Sequence, residues 1–278
     1  MGWPVSCLYA VIILVVGLAG STLPIFLRDG QASHRRWLSL GTVFGGGIFL
    51  AAGFVHLLGD ASSKLDEDFP VAELVCSTFI LLTMLVERLV APSSSASGNH
   101  AAYEENVELM GSAAGDVESV PEEHHSHRGS QEVDLFSSFV MFAALSFHSL
   151  LAGLSLGANE AEGFSIFVAI IAHKFFEAFA LGTSFVRAKG ALSARKVFWW
   201  MLLFSMVTPM GVLLGTALMD TGDSRVTALL TAAAAGTFIF VALTEVILPE
   251  FAKPGDTREK TTALCTGYAL MSLLAVWT

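Results

Sequence analysis

The sequence predicts an all-α integral membrane protein with eight transmembrane helices. Hydrophobic residues make up 54% of the 278 residues and charged residues only 14%, whereas soluble domains carry about a quarter charged residues. The apolar residues come in runs of about 20, the length with which a helix crosses a bilayer. The short alternating segments typical of membrane β-barrels do not occur in the sequence.

The apolar runs define the predicted spans and three segments of the chain. The spans are residues 5–27, 37–59, 70–91, 136–158, 163–187, 195–219, 226–249 and 261–278. The first run has no basic segment before it, so we predict a retained helix rather than a cleaved signal peptide. Three helices (1–91) are followed by a loop (92–134) and five further helices (135–278).

The predicted loop is polar and acidic. It opens with PSSSASGN and holds nine acidic residues against a single base, Arg128. Such a segment cannot bury enough apolar surface to fold alone, so we predict that it is disordered. Its EEHHSH stretch contains His124, His125 and His127. These histidines are either a metal-collecting tract or part of a solvated linker.

Basic residues predict the orientation, because they accumulate on the cytosolic side of membrane proteins. With the N-terminus outside, twelve of the fifteen Lys and Arg lie on the inner side and only Lys64 and Arg225 on the outer side. Both termini are therefore predicted outside or lumenal and the 92–134 loop cytosolic, in the plasma membrane or an organelle membrane. The net charge of −10 argues against nucleic acid as a partner.

Two of the predicted spans concentrate ionisable residues. The fifth contains HKFFEAFALG, in which His173 and Glu177 are four residues apart and share a helix face, with Lys174 at its border. The fourth places His148 at a similar depth, with Ser149 beside it. Such groups usually face a cavity or a partner. If the two helices pack together, two imidazoles and one carboxylate form a site that suits Zn²⁺ best. The same donors do not fully exclude Fe²⁺, Mn²⁺ or Cu²⁺.

Two helix features accompany these residues. Gly153 and Gly157 form a GxxxG pattern that allows a neighbouring helix to approach closely. Pro209 removes one backbone hydrogen bond and predicts a kink in the sixth span. The freed carbonyl, with Ser205 and Thr208, either lines a polar path or accompanies a purely structural kink.

Candidate entrance and exit residues lie at helix ends. His56 and Asp60 are four residues apart near the predicted outer surface. They either collect cations or form a polar helix end. Glu245 and Glu250 lie near the predicted cytosolic end of the seventh span, where they either line an exit path or are ordinary helix-end carboxylates.

The sequence resembles the ZIP (Zrt/Irt-like) family of divalent metal transporters. The resemblance rests on HSLLAGLSLG and HKFFEAFALG, supported by FVHLLGD in the second span and GTFIFVALTE in the seventh. It implies metal ligands at His148, His173 and Glu177. Many members have a glutamate where this chain has Ala152. Ser149 and Lys174 take the positions at which some members bind a second metal, so one ion is expected.

The resemblance also implies a mode of action. Metal would move toward the cytosol by alternating access. It would be the transported substrate, and no resident cofactor is expected. By analogy with the family, the protein would form a homodimer. Two other functions remain open from the residues. A membrane-embedded zinc hydrolase could use Glu177 as acid or base, although HExxH, the zinc-protease motif, does not occur. A metal sensor would depend on the 92–134 loop.

Overall fold

The protein is a bundle of long helices. The computed structural model describes residues 2–27, 32–65, 68–90, 126–158, 163–188, 192–217 and 224–276. These residues form eight helices and no strand: α1 (Trp3–Leu27), α2 (residues 32–64), α3 (Val71–Val90), α4 (Ser126–Ala158), α5 (Gly163–Arg187), α6 (Ala194–Ala217), α7 (residues 224–252) and α8 (Thr257–Ala275). The predicted all-α class is confirmed.

Six of these helices are long and apolar enough to cross a membrane. The other two, α3 and α8, carry three charged residues each: Glu73, Glu87 and Arg88 in α3, and Arg258, Glu259 and Lys260 in α8. Both are nevertheless packed into the bundle, α3 against α7 and α8 against α2. Packing thus places in the bundle two helices that each carry three charged residues.

The helix α4 begins before the predicted fourth span. Its first residue is Ser126, so residues 126–134 are helical. Composition detects the apolar stretch, but a formed helix extends beyond it because each added residue gains one hydrogen bond. Residues 91–125 lie outside the described residues, and the predicted disorder of the loop stays a prediction.

The eight helices divide into two groups of four by their contacts. Bundle I comprises α1, α4, α5 and α6, with the pairs α4–α6 and α1–α5 in most extensive contact. Bundle II comprises α2, α3, α7 and α8, with the pairs α2–α8 and α2–α7 in most extensive contact and α3 packed on α7. The two bundles meet mainly where α4 contacts α7 and α2 contacts α5.

Glycines bring the paired helices into backbone contact. A Cβ on Gly153 of α4 would lie 2.4 Å from the carbonyl oxygen of Thr208, and one on Gly211 of α6 would lie 2.5 Å from that of Leu150. The predicted GxxxG pattern therefore packs against α6, which has a GxxxG of its own, and not against α5. Equivalent close approaches occur at Gly20 and Gly182 (α1–α5), at Gly47 and Gly267 (α2–α8) and at Gly236 (α3–α7).

Two helices of bundle II contain a π-helical turn, at Ala52–Leu57 in α2 and at Ala242–Ile247 in α7. A Cβ on Gly53 would lie 2.6 Å from the Ile239 side chain, so the first of these turns packs directly on α7. Turns of this type insert an extra residue into a helix and occur often at functional sites. They contain two residues that the sequence singles out, His56 and Glu245.

The turn between α7 and α8 is fixed by specific hydrogen bonds. Gly255 has a φ of 154°, which favours glycine. Asp256 caps α8 by accepting a hydrogen bond from the backbone N–H of Arg258 at 2.8 Å. The Nζ of Lys260 donates to the carbonyl oxygens of Glu250 and Lys253, both at 2.7 Å. The end of α7 and the start of α8 are thereby joined.

Candidate metal site

Three potential metal ligands meet inside bundle I. His148 lies on α4, and His173 and Glu177 lie one turn apart on α5. One ligand atom of each residue lies within 4.8 Å of the other two, and the residues are only 1 to 2% exposed. The structure therefore brings together the three residues that the sequence predicts as ligands. It is the one group of three or more such residues among the described ranges.

The imidazole nitrogens at this site lack partners. Within the described part of the chain, Nδ1 and Nε2 of His148 and Nδ1 of His173 have no hydrogen bond. Most buried polar atoms in proteins have a partner, so each exception needs an explanation. A cation held between the two rings and Glu177 would satisfy such nitrogens, and two imidazoles with one carboxylate are a donor set that suits Zn²⁺.

The carboxylate of Glu177 is held by two neighbours. Ser149 donates a hydrogen bond to Oε1 at 2.6 Å, and Lys174 donates to Oε2 at 3.1 Å. Lys174 also donates to the Ser149 hydroxyl at 2.8 Å, and its ammonium lies 4.2 Å from the centre of the Phe204 ring. Lys174 is only 1% exposed. The positive charge of Lys174 therefore balances the carboxylate when no metal is present.

An aromatic ring from bundle II covers the site. Phe238 of α7 stacks on His148 with ring centroids 4.2 Å apart and planes 15° from parallel. The same ring contacts His173 in a T-shaped arrangement at 5.9 Å. Phe238 is fully buried, so the site lies at the boundary between the two bundles.

Ala152 contributes no ligand. It is half-buried and packs with an apolar cluster that includes Ile13, Leu156, Ile170 and Val212. The position at which many members of the resembled family carry a glutamate is therefore part of the hydrophobic packing in this chain.

The two residues of the predicted entrance, His56 and Asp60, lie in different surroundings. His56 is half-buried within the π-helical turn of α2. Asp60 pairs with Lys64 one turn later, with the Nζ 2.9 Å from Oδ1 and 3.0 Å from Oδ2. A cation arriving at Asp60 would therefore compete with the ammonium of Lys64.

The two predicted exit residues are in different surroundings. Glu245 is half-buried in the π-helical turn of α7 and accepts a hydrogen bond from Ser137 of α4. One residue further along α4, Ser138 bonds Ser184 of α5 at 2.7 Å. These hydroxyls and the carboxylate form a polar strip between α4, α5 and α7, at the end of the bundle where α5 finishes.

Glu250 is instead the centre of an ion-pair cluster. It is 0% exposed, and its carboxylate accepts hydrogen bonds from Ser39 at 2.6 Å and Lys253 at 2.8 Å. Arg187, the last residue of α5, forms a salt bridge with it. Glu250 thus joins α2, α5 and α7, and its bonding pattern is that of a structural residue rather than of a free carboxylate in a path.

The structure describes no side-chain geometry for the histidines of the predicted loop. His124 and His125 lie outside the described residues. His127 falls in the first turn of α4, where the structure describes the backbone alone.

Several site residues were not predicted from the sequence. Phe238 and Phe204 looked like ordinary apolar residues of their helices, because nothing local shows that they face His148 and Lys174. Gly211 and Gly215 could have been found, since they form a GxxxG on α6. The hydroxyls of Ser205 and Thr208, beside Pro209, are buried and have no hydrogen-bond partner among the described residues. A polar path there stays a prediction.

Comparison with known proteins identifies the family. The family model of the ZIP zinc transporters matches residues 5–275, nearly the whole chain. The chain belongs to the ZIP family. The zinc transporter ZIP3 of Bos taurus is 31% identical over 311 aligned residues, covering 96% of this chain and 98% of the relative. The zinc transporter ZIP1 of Takifugu rubripes is 29% identical and covers 89% and 87%, and the probable zinc transporter 12 of Arabidopsis thaliana is 27% identical and covers 95% and 84%.

Membership in the ZIP family decides between the hypotheses raised by the residues. The protein is an integral membrane transporter of divalent metal and not an enzyme, so the hydrolase hypothesis is set aside. The metal is the transported substrate and not a cofactor.

Proposed function

We propose that this ZIP protein carries Zn²⁺ into the cytosol, one ion at a time, bound by His148, His173 and Glu177. The observation that carries the proposal is the convergence of three buried donor atoms within 4.8 Å of one another. The relatives are zinc transporters, which supports zinc over iron or manganese. Three protein ligands leave at least one position for water, and an open coordination position is typical of exchangeable zinc.

Lys174 supports binding of a single ion. Its ammonium lies 3.1 Å from Glu177 Oε2 and 2.8 Å from Ser149 Oγ. A second divalent cation beside Glu177 would have to displace this charge or bear its repulsion. One Zn²⁺ therefore binds on the imidazole side of Glu177, while Lys174 stays on the other.

The path on either side of the site follows the remaining polar residues. His56, with Asp60, lies toward the entrance. The strip of Ser138, Ser184 and Glu245 lies toward the exit. The distribution of the basic residues supports a cytosolic exit end and termini on the outer side. Because the ligands all belong to bundle I, alternating access would move bundle I relative to bundle II. This motion needs one copy of the chain, and it is equally compatible with the homodimer that the resemblance implies.

Zinc uptake into proteoliposomes tests the proposal. The full chain is reconstituted, and radiolabelled Zn²⁺ uptake is measured with Fe²⁺, Mn²⁺ and Cd²⁺ as competitors. The double variant His173→Ala, Glu177→Ala removes two ligands and should reduce uptake to the rate of protein-free vesicles. Thr183→Ala is the matched control, because Thr183 is a buried polar residue of the same helix and its hydroxyl donates to the backbone of that helix, at the Phe179 carbonyl oxygen.

Two outcomes would contradict the proposal. Uptake by the double variant at the wild-type rate would show that these residues are not the transport site. Stronger competition by Fe²⁺ or Mn²⁺ than by unlabelled Zn²⁺ would show that zinc is not the preferred substrate.

A further inference from the structure

We propose that Phe238 is a positioning residue of the metal site, which sets the affinity for Zn²⁺ by holding the imidazole of His148 in its binding orientation. The inference rests on the proposed function, because it takes His148 as a ligand. It adds a residue from bundle II to a site whose ligands all come from bundle I. It starts from the 4.2 Å, nearly parallel stack of the two rings.

The orientation of His148 needs such a contact. A metal-binding histidine usually donates its second ring N–H to a carboxylate, a carbonyl or water, which fixes the ring. Neither nitrogen of His148 has a hydrogen-bond partner among the described residues. The stack against Phe238 therefore takes the place of the usual hydrogen bond in restricting rotation of the ring.

Stacking also leaves the metal-binding direction open. The lone pair of an imidazole nitrogen lies in the plane of the ring, whereas Phe238 covers its face with planes 15° from parallel. The same ring contacts His173 with centroids 5.9 Å apart and planes 64° from parallel. One aromatic ring thus contacts both histidines, and its stack on His148 leaves the in-plane lone-pair direction of that imidazole uncovered.

Phe238 is itself held rigidly. Its helix α7 is in backbone contact with α3 two residues earlier, where a Cβ on Gly236 would lie 2.2 Å from the Cys76 carbonyl oxygen. One residue later, the Ile239 side chain packs against the backbone of α2 at Gly53. The ring is therefore a fixed platform.

Equilibrium Zn²⁺ binding to the purified full chain tests the inference. Phe238→Leu keeps an apolar side chain but removes the flat ring. We expect its Kd for Zn²⁺ to rise about 2- to 12-fold, the factor that corresponds to the usual contribution of an aromatic pair. Phe49→Leu is the matched control, because Phe49 is equally buried and contacts the same ring. Its Kd should stay within about twofold of wild type.

A double-mutant cycle with His148→Ala separates positioning from general packing. If Phe238 acts through His148, Phe238→Leu has no further effect on Kd once the imidazole is gone. Co²⁺ provides a second readout, since its visible absorption reports ligand geometry. The spectrum of the Co²⁺-saturated protein should change in Phe238→Leu and stay unchanged in Phe49→Leu. Phe238→Met, which also lacks a flat face, should repeat both results and replaces the leucine variant if that does not fold.

The outcomes distinguish this inference from the proposed function. If His148→Ala binds Zn²⁺ as wild type does, the ligand assignment is wrong and the inference fails with it. If His148→Ala weakens binding but Phe238→Leu does not, or if the two effects simply add, the inference alone is overturned. Equal effects of Phe238→Leu and Phe49→Leu would likewise show general packing.

Discussion

At the scale of single residues, Lys174 determines the electrostatics of the metal site. Its ammonium, the Ser149 hydroxyl and the Glu177 carboxylate form a closed set of hydrogen bonds of 2.6 to 3.1 Å. All three residues are 1% exposed. An unpaired carboxylate would be costly at this depth, so the lysine stabilises the metal-free protein. It also competes with the metal for the negative charge of Glu177.

We therefore expect Lys174→Met to change stability in a metal-dependent way. Without metal, Glu177 loses its counter-charge, and the free energy of unfolding should fall by about 3 kcal/mol. Bound Zn²⁺ restores a positive charge beside the carboxylate, so the rise in Tm on adding Zn²⁺ should exceed that of wild type. Thermal unfolding of the detergent-solubilised protein, with and without Zn²⁺, measures both effects.

The control for this prediction is Lys64→Met. Lys64 pairs with Asp60 at a partly exposed helix end, so its loss should leave the Zn²⁺-dependent rise in Tm unchanged. A rise in Lys174→Met no greater than that of wild type would contradict the competition between lysine and metal.

At the scale of helices, the contact between α4 and α6 holds His148 in place. The glycines of both helices allow backbone contact along two turns, on the segment of α4 that follows the histidine. Membrane helices gain no hydrophobic energy by leaving lipid, so close packing of small residues is a main source of their association.

Gly211→Ala should therefore destabilise the protein. The added Cβ would lie 2.5 Å from the Leu150 carbonyl oxygen and 3.0 Å from the Gly153 Cα. Neither backbone atom can move aside alone, so we expect a loss of roughly 1–3 kcal/mol in the free energy of unfolding. Unfolding of the purified variant in detergent is the measurement.

Gly59→Ala is the comparison for this substitution. Gly59 is also helical, but an added Cβ meets no atom of the described residues within 4 Å. Alanine favours the helix over glycine by about 0.5–1 kcal/mol, so this variant should be as stable as wild type or more stable. Equal decreases in the free energy of unfolding in both variants would show that the decrease comes from replacing any helical glycine and not from the α4–α6 contact.

At the scale of the whole molecule, the ion-pair cluster at Glu250 ties the two bundles together. The salt bridge from Arg187 crosses from bundle I to bundle II, while Ser39 and Lys253 bind the same carboxylate from within bundle II. The Ser137–Glu245 hydrogen bond crosses between the bundles at the same end. The carboxylate of Glu250 is fully buried, so its loss leaves several donors without a partner.

Glu250→Gln should lower the free energy of unfolding by about 1.5–3 kcal/mol, the usual contribution of a hydrogen bond to a charged group. Arg187 and Lys253 are partly exposed, at 32% and 43%, so water limits the loss. Glu259→Gln removes an exposed pair with Arg36 and should cost about 0–1 kcal/mol. Chemical unfolding measures the free energy of unfolding of both variants. A smaller decrease in Glu250→Gln than in Glu259→Gln would contradict the structural role of Glu250.

The sequence by itself determined the helical membrane architecture and the three candidate ligands. Both depend on patterns within a single helix: apolar runs of spanning length, and the four-residue spacing that places His173 and Glu177 on one face. The pairing of Lys174 with Glu177 is local in the same way, because the two are three residues apart.

Only the tertiary structure decided which helix faces meet. It placed His148 beside the α5 ligands, packed the α4 glycines against α6, set Phe238 over the imidazole and enclosed Glu250 among cations. Each of these contacts joins residues far apart in the chain, and an apolar face carries no mark of the helix it will contact. The helices follow from local hydrogen bonding and hydropathy, whereas the environment of each site residue follows from how the two bundles pack.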